Sequence, residues 1–168
     1  WPVSPYSAKT RVYLRFKGIP HVDREPNVFE LMGRIKKGVG RPVMPTVLTP
    51  SGEFWQDTSE IIDAFEAEVP DPAIIPNTPK QRLASYLLEL HADEWLPAAA
   101  LHFRWNVPKN EMFAIEEFGK YAIPWAPAFL RRPIARRVAR SMQRYLPAVG
   151  AVGDTCEGIE HHTRQLIG

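Results

Sequence analysis

One cysteine, Cys156, stands in a chain of 168 residues. It allows no internal disulfide and no cysteine-based metal cluster, and such scarcity suits a reducing cytoplasm. Long apolar runs are also lacking. Nothing approaches the ~20 consecutive apolar residues that a bilayer-spanning helix needs, and the opening residues carry no secretory-signal pattern. Charge of one sign is missing too: 21 Lys and Arg against 19 Asp and Glu leave a net +2, which gives no overall pull towards nucleic acid. No segment repeats. What is present is the composition of a soluble globular chain, 45% hydrophobic and 24% charged. The length suffices for one good core or two small domains. The surplus is in proline, 17 residues, most of them where elements should start or stop.

Ser4-Pro5-Tyr6-Ser7 opens the first helical pattern. Ser4 is a favoured N-cap, because its hydroxyl can accept from an otherwise unpaired amide of the first turn. Pro5 suits the first helical position, where its missing N–H costs nothing. Val12, Tyr13 and Phe16 continue the helix and Gly18 stops it. Ser4 reads either as a plain cap or as a hydroxyl aimed at an anion docked on the positive helix end.

Ile19 to Arg24 alternates and predicts a short strand. Phe29 to Lys37 predicts an irregular helix closed by Gly38-Val39-Gly40. Val43 to Leu48 is a strand pattern containing Pro45, which belongs at an edge, a strand start or a special bend. Pro50-Ser51-Gly52 makes Val47–Leu48 and Phe54–Trp55 the arms of a hairpin. Asp57-Thr58-Ser59-Glu60 resembles a capping box before an apolar face of Ile61, Ile62, Phe65 and Val69. After a Pro-rich connector, Thr78-Pro79-Lys80-Gln81 starts another helix, which Pro97 should end or kink. Helical pattern then covers Glu111–Phe118, Ile134–Leu146 and Thr155–Ile167. The organisation is an α/β part over 1–69, a joint over 70–78 and an all-helical part over 79–168.

This order, with Ser4-Pro5-Tyr6, Met44-Pro45 and Asp57-Thr58-Ser59 at their places, resembles the glutathione S-transferase family to about Trp105. The serine-using tau- and zeta-like classes look nearer than tyrosine-using ones. The resemblance implies a thioredoxin-like domain followed by an all-α domain, and glutathione as co-substrate for conjugation to a small electrophile in detoxification. It also implies a cis peptide at Met44-Pro45 and a homodimer. It implies a strand ahead of Ser4 where only Trp1-Pro2-Val3 stand, and a later Ser/Thr-x-x-Asp helix cap not found by Gly168. The chain is therefore expected to be a fragment whose unseen ends complete both domains. An upstream tyrosine would displace Ser4. Alternatives on the same framework are a non-catalytic binding or interaction module, or a glutathione-dependent isomerase or dehalogenase.

A free thiol ionises near pKa 8.5. One donated hydrogen bond and a helix N-terminus contribute roughly 1–3 kcal/mol, or one to two pKa units, enough to make thiolate the major species. Ser4 is the candidate donor and Ser7 the reserve, and with serine at both places direct disulfide exchange is disfavoured. Met44 and Pro45 would pair with glutathione through the backbone, as an added strand; the competing reading is a trans proline at an edge-strand start. Asp57, Thr58 and Ser59 suit a carboxylate and an amine, or simply cap a helix. Lys37 and Arg41 are candidates for the glycine carboxylate. Tyr6, His102 and Trp105, with Trp95 and Phe103, are candidates for the electrophile pocket or plain core. The acid-free run Arg131, Arg132, Arg136, Arg137, Arg140 and Arg144 reads as a solvated face, with an anionic partner as the second reading. His91-x-x-Glu94 and His161-His162 have no further cluster to make a metal site, so no metal is expected; the near-balanced charge and the lack of a long apolar run leave no nucleic acid and no membrane expected as a partner.

Overall fold

The computed structural model describes all residues, Trp1–Gly168, and the chain divides into two compact units. The first comprises Trp1–Ile74 with Tyr121–Trp125, the second Ile75–Lys120 with Ala126–Gly168. The first is α/β and the second wholly helical.

Helix α1 (Pro5–Phe16) begins as its sequence requires. Ser4 is extended and its side chain accepts from Ser7 N, with Pro5 in the first turn. Gly18 ends it at φ +65°, a conformation glycine adopts without steric cost. The buried face is Ser7, Thr10, Tyr13 and Leu14, whereas Val12 and Phe16, which share the three- and four-residue spacing of Tyr13, are exposed. They lie on the opposite side of the same turns, and a single apolar count does not say which side has a neighbour.

The segment 19–27 forms no strand, contrary to its alternation. It pairs with no other strand, and Pro20 has no amide to offer. Helix α2 spans 28–39 as two α-helical ends, Val28–Glu30 and Lys36–Val39, around a π turn at Leu31–Ile35. Its start is a full capping box. Asn27 accepts from Phe29 N and Glu30 N, and Glu30 accepts from Asn27 N in return. Gly38 stays helical, and Gly40, at φ +82°, is the actual stop.

Strands β1 (Thr46–Leu48) and β2 (Phe54–Gln56) form the expected antiparallel hairpin, in register Thr46↔Gln56, Val47↔Trp55 and Leu48↔Phe54. The peptides Met44–Pro45 and Asp71–Pro72 are cis. Helix α3 (Thr58–Glu68) is capped by Asp57, whose carboxylate accepts from Ser59 N at 3.0 Å. The reciprocal Glu60 bond that would complete a capping box is not made. Ile61 and Ile62 are buried, Ile61 completely, which stabilises by roughly 1.5–3 kcal/mol each. Tyr13, Leu14 and Ile62 centre the core of this unit, with Ile19, Phe65 and Ile74 against them.

In the second unit, helix α4 runs over 79–105 rather than ending at Pro97. A π turn at His91–Trp95 separates Pro79–Leu90 from Leu96–Trp105, and Pro97 falls in the first turn after it, where a missing amide is tolerated. Thr78 makes no backbone cap, and its hydroxyl donates to Gln81 Oε1 at 2.6 Å. Helix α5 (Pro108–Ala122), α6 (Ala128–Gln143) and α7 (Thr155–Ile167) complete the chain, with a 3₁₀ turn at Pro147–Val149.

Candidate functional site

The site is built on the start of α1. Ser4 Oγ accepts Ser7 N–H at 3.2 Å. An accepting hydroxyl keeps its own proton, so Ser4 retains one donor while capping the helix. Ser7, one turn on, is 6% exposed, and its Oγ is buried with no partner. That is a costly condition for a hydroxyl.

Ser7, Met44 and Pro45 line one cleft of about 1030 Å³. Thr10 and Leu14 of α1 also line it, as do Val47 and Leu48 of β1, Phe65 of α3 and Val69 just after that helix. Trp1 joins the pieces: its carbonyl accepts from Ser4 N at 3.0 Å, and its nitrogen lies 3.6 Å from Met44 Sδ. The Ser4 turn and Met44 are thereby neighbours of one residue. Neither the amide nor the carbonyl of Met44 enters a backbone hydrogen bond, so both remain open to an extended ligand. Arg11 and Asp23 form a wall of the cleft, Nε to Oδ2 2.5 Å apart, and that bond holds the Asp23 carboxyl below its ordinary range.

The remaining candidates are placed less uniformly. Asp57 carries φ +72°, the sole non-glycine residue in that region. Its carboxylate is committed to Ser59 N, while Thr58 is buried and Ser59 half-buried. Ser4, Asp57, Thr58 and Ser59 are not among the residues lining the cleft. Arg41 bonds Gln56 Oε1 at 2.6 and 3.1 Å, so its guanidinium is already engaged. Lys37 is exposed at the end of α2. A smaller hollow of about 380 Å³ beside Gly38, Gln56 and Glu60 shares only Phe54 and Trp55 with the cleft.

Tyr6 is half-buried on α1. His102 and Trp105 are each 4% exposed, inside the helical unit. His102 Nδ1 lies 3.0 Å from the Asn106 amide and Nε2 lies 3.1 Å from Glu160 Oε1. With Asn106 donating to Nδ1, the ring proton sits on Nε2 and goes to Glu160. Trp105 stacks on Phe118 at 5.8 Å. These two positions are therefore interior ones with protein partners, the plain-core reading of their spacing. Trp95, by contrast, is 70% exposed. His91 and His162 meet edge to face at 5.7 Å, and no group of three His, Cys, Asp or Glu is placed to hold a metal.

Sequence reasoning missed Thr10, Arg11, Asp23 and Trp1 as cleft residues. Their convergence comes from long-range packing, which local spacing does not encode. It also missed the Asn27-Val28-Phe29-Glu30 box, although an Asn followed three residues later by Glu is a legible signal.

Residues 1–73 match the family model described as the glutathione S-transferase N-terminal domain. Among solved structures, a glutathione S-transferase from Methylobacterium radiotolerans, crystallised with glutathione sulfonate, is similar at 22% identity and a TM-score of 0.46. That match covers 90% of this chain and 68% of the other. Comparison with curated proteins gives no match.

Proposed function

We propose that this protein, whose residues 1–73 match the model of the glutathione S-transferase N-terminal domain, is a glutathione transferase in which Ser4 holds the glutathione thiolate at the start of α1. The observation that carries the reading is the Ser4 cap: its Oγ accepts Ser7 N–H at 3.2 Å and still has a proton to donate. A sulfur anion at that point would receive this bond and face the positive end of α1. Together these are worth roughly 1–3 kcal/mol, enough to bring a thiol pKa from about 8.5 to near or below 7. The thiol proton leaves to solvent. The sulfur lone pair then forms a bond to an electrophilic carbon, and the leaving group departs with its electrons.

The rest of the thioredoxin-like domain, 1–69, supplies binding. The open amide and carbonyl of Met44, next to Pro45, take the peptide part of glutathione in the manner of an added strand. The start of α3, with Asp57, Thr58 and Ser59, takes the γ-glutamyl end. Lys37 takes the glycine carboxylate in preference to Arg41, whose guanidinium is engaged with Gln56. Tyr6 faces the electrophile. Residues 79–168 form the helical domain, joined through 70–78. The setting is a reducing cytoplasm, and the role is detoxification of small electrophiles.

The protein acts as a homodimer through α4, where Leu83, Tyr86, Leu87 and Leu90 follow three- and four-residue spacing and are 61, 46, 56 and 54% exposed. Such a stripe has no reason to face water on both sides of a pair.

A second reading is favoured by the unpartnered Ser7 hydroxyl on the cleft: Ser7, not Ser4, is the thiolate donor. Turnover of an aryl halide with glutathione, measured for wild type, Ser4→Ala and Ser7→Ala, separates the cases. Loss of about 10- to 100-fold in Ser4→Ala alone is the expected result. Loss only in Ser7→Ala transfers the role. Glutathione binding without turnover in wild type leaves a non-catalytic binding module, and turnover unchanged in both variants removes both serines as thiolate donor. Absence of glutathione binding removes the proposal.

A further inference from the structure

We propose that the outer face of α6 is a docking surface for a bilayer bearing acidic phospholipid. The helix packs in an inverted manner. It turns its small residues inward, Ala135 and Ala139 being 2 and 1% exposed, and leaves its bulky side chains outside. The fit against α5 explains this. A Cβ on Gly119 would lie only 3.2 Å from Arg131 Cβ and 3.5 Å from Ala135 Cβ, so only small groups fit there. On the outer side, Leu130, Ile134 and Val138 recur every fourth residue and are 49, 47 and 40% exposed, and Phe129 is 74% exposed.

Beside this apolar stripe runs a basic one. Arg132, Arg136, Arg140 and Arg144 also recur every fourth residue, all of them exposed, with Arg137 between the two stripes. Between Ala128 and Gly153 the chain has no Asp or Glu. From the neighbouring helix, Glu116 pairs with Arg132 at 2.9 Å, whereas Glu117 turns to Lys120. Arg136, Arg137, Arg140 and Arg144 meet no carboxylate.

An unneutralised basic stripe calls for an anionic partner, and the adjoining apolar stripe decides which. Duplex nucleic acid would use the arginines and leave Leu130, Ile134 and Val138 in water. At a bilayer surface both stripes are used: the aliphatic groups sink to the level of the acyl boundary, while the arginines lie along it and reach the phosphates. No helix is long and apolar enough to cross a membrane, so the contact is peripheral. It departs from the expectation of no membrane partner, which rested on the lack of a bilayer-spanning apolar run, and a net +2 hides the local concentration of charge.

Flotation of the full chain with phosphatidylcholine vesicles, with and without phosphatidylserine, tests the proposal. The probes are wild type, Arg136→Gln/Arg140→Gln/Arg144→Gln and Leu130→Ser/Ile134→Ser. All the substituted side chains are exposed, so thermal midpoints should be retained. Each arginine near an acidic surface is worth roughly fivefold in partitioning, so the triple variant should bind phosphatidylserine vesicles about 100-fold more weakly. The serine variant should also bind more weakly, and Phe129→Trp should gain quenching by brominated lipid. Failure of wild type to float with acidic vesicles overturns the proposal, as does indifference to either multiple variant. Arginine-dependent retention of a DNA duplex without vesicle binding would reassign the face to nucleic acid.

Discussion

Lys17 Nζ lies 2.7 Å from Glu66 Oε1, with none of the lysine side chain exposed. The pair is the centre of a larger knot. Tyr13 OH donates to the same oxygen at 2.9 Å, Ile74 N donates to Oε2 at 3.2 Å, and Lys17 also donates to Pro72 O at 2.9 Å. Thus one carboxylate ties the end of α1 to α3 and to the connector that follows. Burial, then the Glu66 carboxylate beside it, push the Tyr13 phenol well above its usual range. Breaking a buried pair from one side leaves the other charge uncompensated, so Lys17→Met should cost about 3–5 kcal/mol in urea unfolding. Lys17→Met/Glu66→Gln should recover part of that loss, since the amide still accepts from Tyr13 and Ile74.

The same knot sets a pH dependence. Burial is the largest single influence on Glu66 and opposes its ionisation, but the bonds from Lys17, Tyr13 and Ile74 together outweigh it and hold the carboxyl below 4.5. A carboxylate with a depressed folded-state pKa stabilises fully above its unfolded value and loses that stabilisation as pH falls through the folded one. Wild type should therefore lose stability below about pH 4.5 more steeply than Glu66→Gln, as read from urea midpoints across an acid series.

Ser4 serves both as a cap and as the proposed donor, and two substitutions separate these tasks. Ser4→Ala should lower stability by about 1 kcal/mol and Ser4→Gly by only a few tenths, because glycine is itself a tolerated cap. Both should lose glutathione turnover to the same extent, since neither has a hydroxyl. Activity retained in Ser4→Gly would show that capping alone matters there.

Two glycines of α2 should respond oppositely. A Cβ on Gly38 would sit 2.5 to 2.8 Å from the Phe54 ring, whereas one on Gly33 would meet nothing within 4 Å. Gly38→Ala should destabilise by roughly 1–3 kcal/mol as the ring is displaced. Gly33→Ala should be neutral or stabilise by up to about 1 kcal/mol through helix propensity. Thermal midpoints check both.

The proposed homodimer predicts that Leu87→Asp, on a residue 56% exposed, shifts the sedimentation coefficient to that of a monomer and leaves the thermal midpoint of the monomer unchanged. A wild-type chain that sediments as a monomer at micromolar concentration would remove the α4 interface.

Local chemistry was legible without coordinates wherever one residue and its immediate neighbours decide the outcome. The Ser4-Pro5 start, the glycine stops, the hairpin around Pro50-Ser51-Gly52 and the Asp57 cap are of this kind, because caps and turns are satisfied within four or five residues of chain. From the order of such signals the α/β and helical halves followed. What the local pattern could not decide was which side of a helix has a neighbour. Val12 and Phe16 have apolar spacing and face outward, while Lys17 is buried because α3 and the connector offer it partners. The strand expected over 19–24 is absent for the same reason: a strand exists only through its neighbour's hydrogen bonds. His102 and Trp105, which their spacing left as either pocket or core residues, lie in the helical interior, fixed by Glu160, Asn106 and Phe118, up to 58 positions away in sequence. So the Ser4 hydroxyl and its helix were determined by the sequence alone. The cleft that Ser7, Met44 and Pro45 line together is a product of tertiary packing, where contacts between distant residues outweigh local preference.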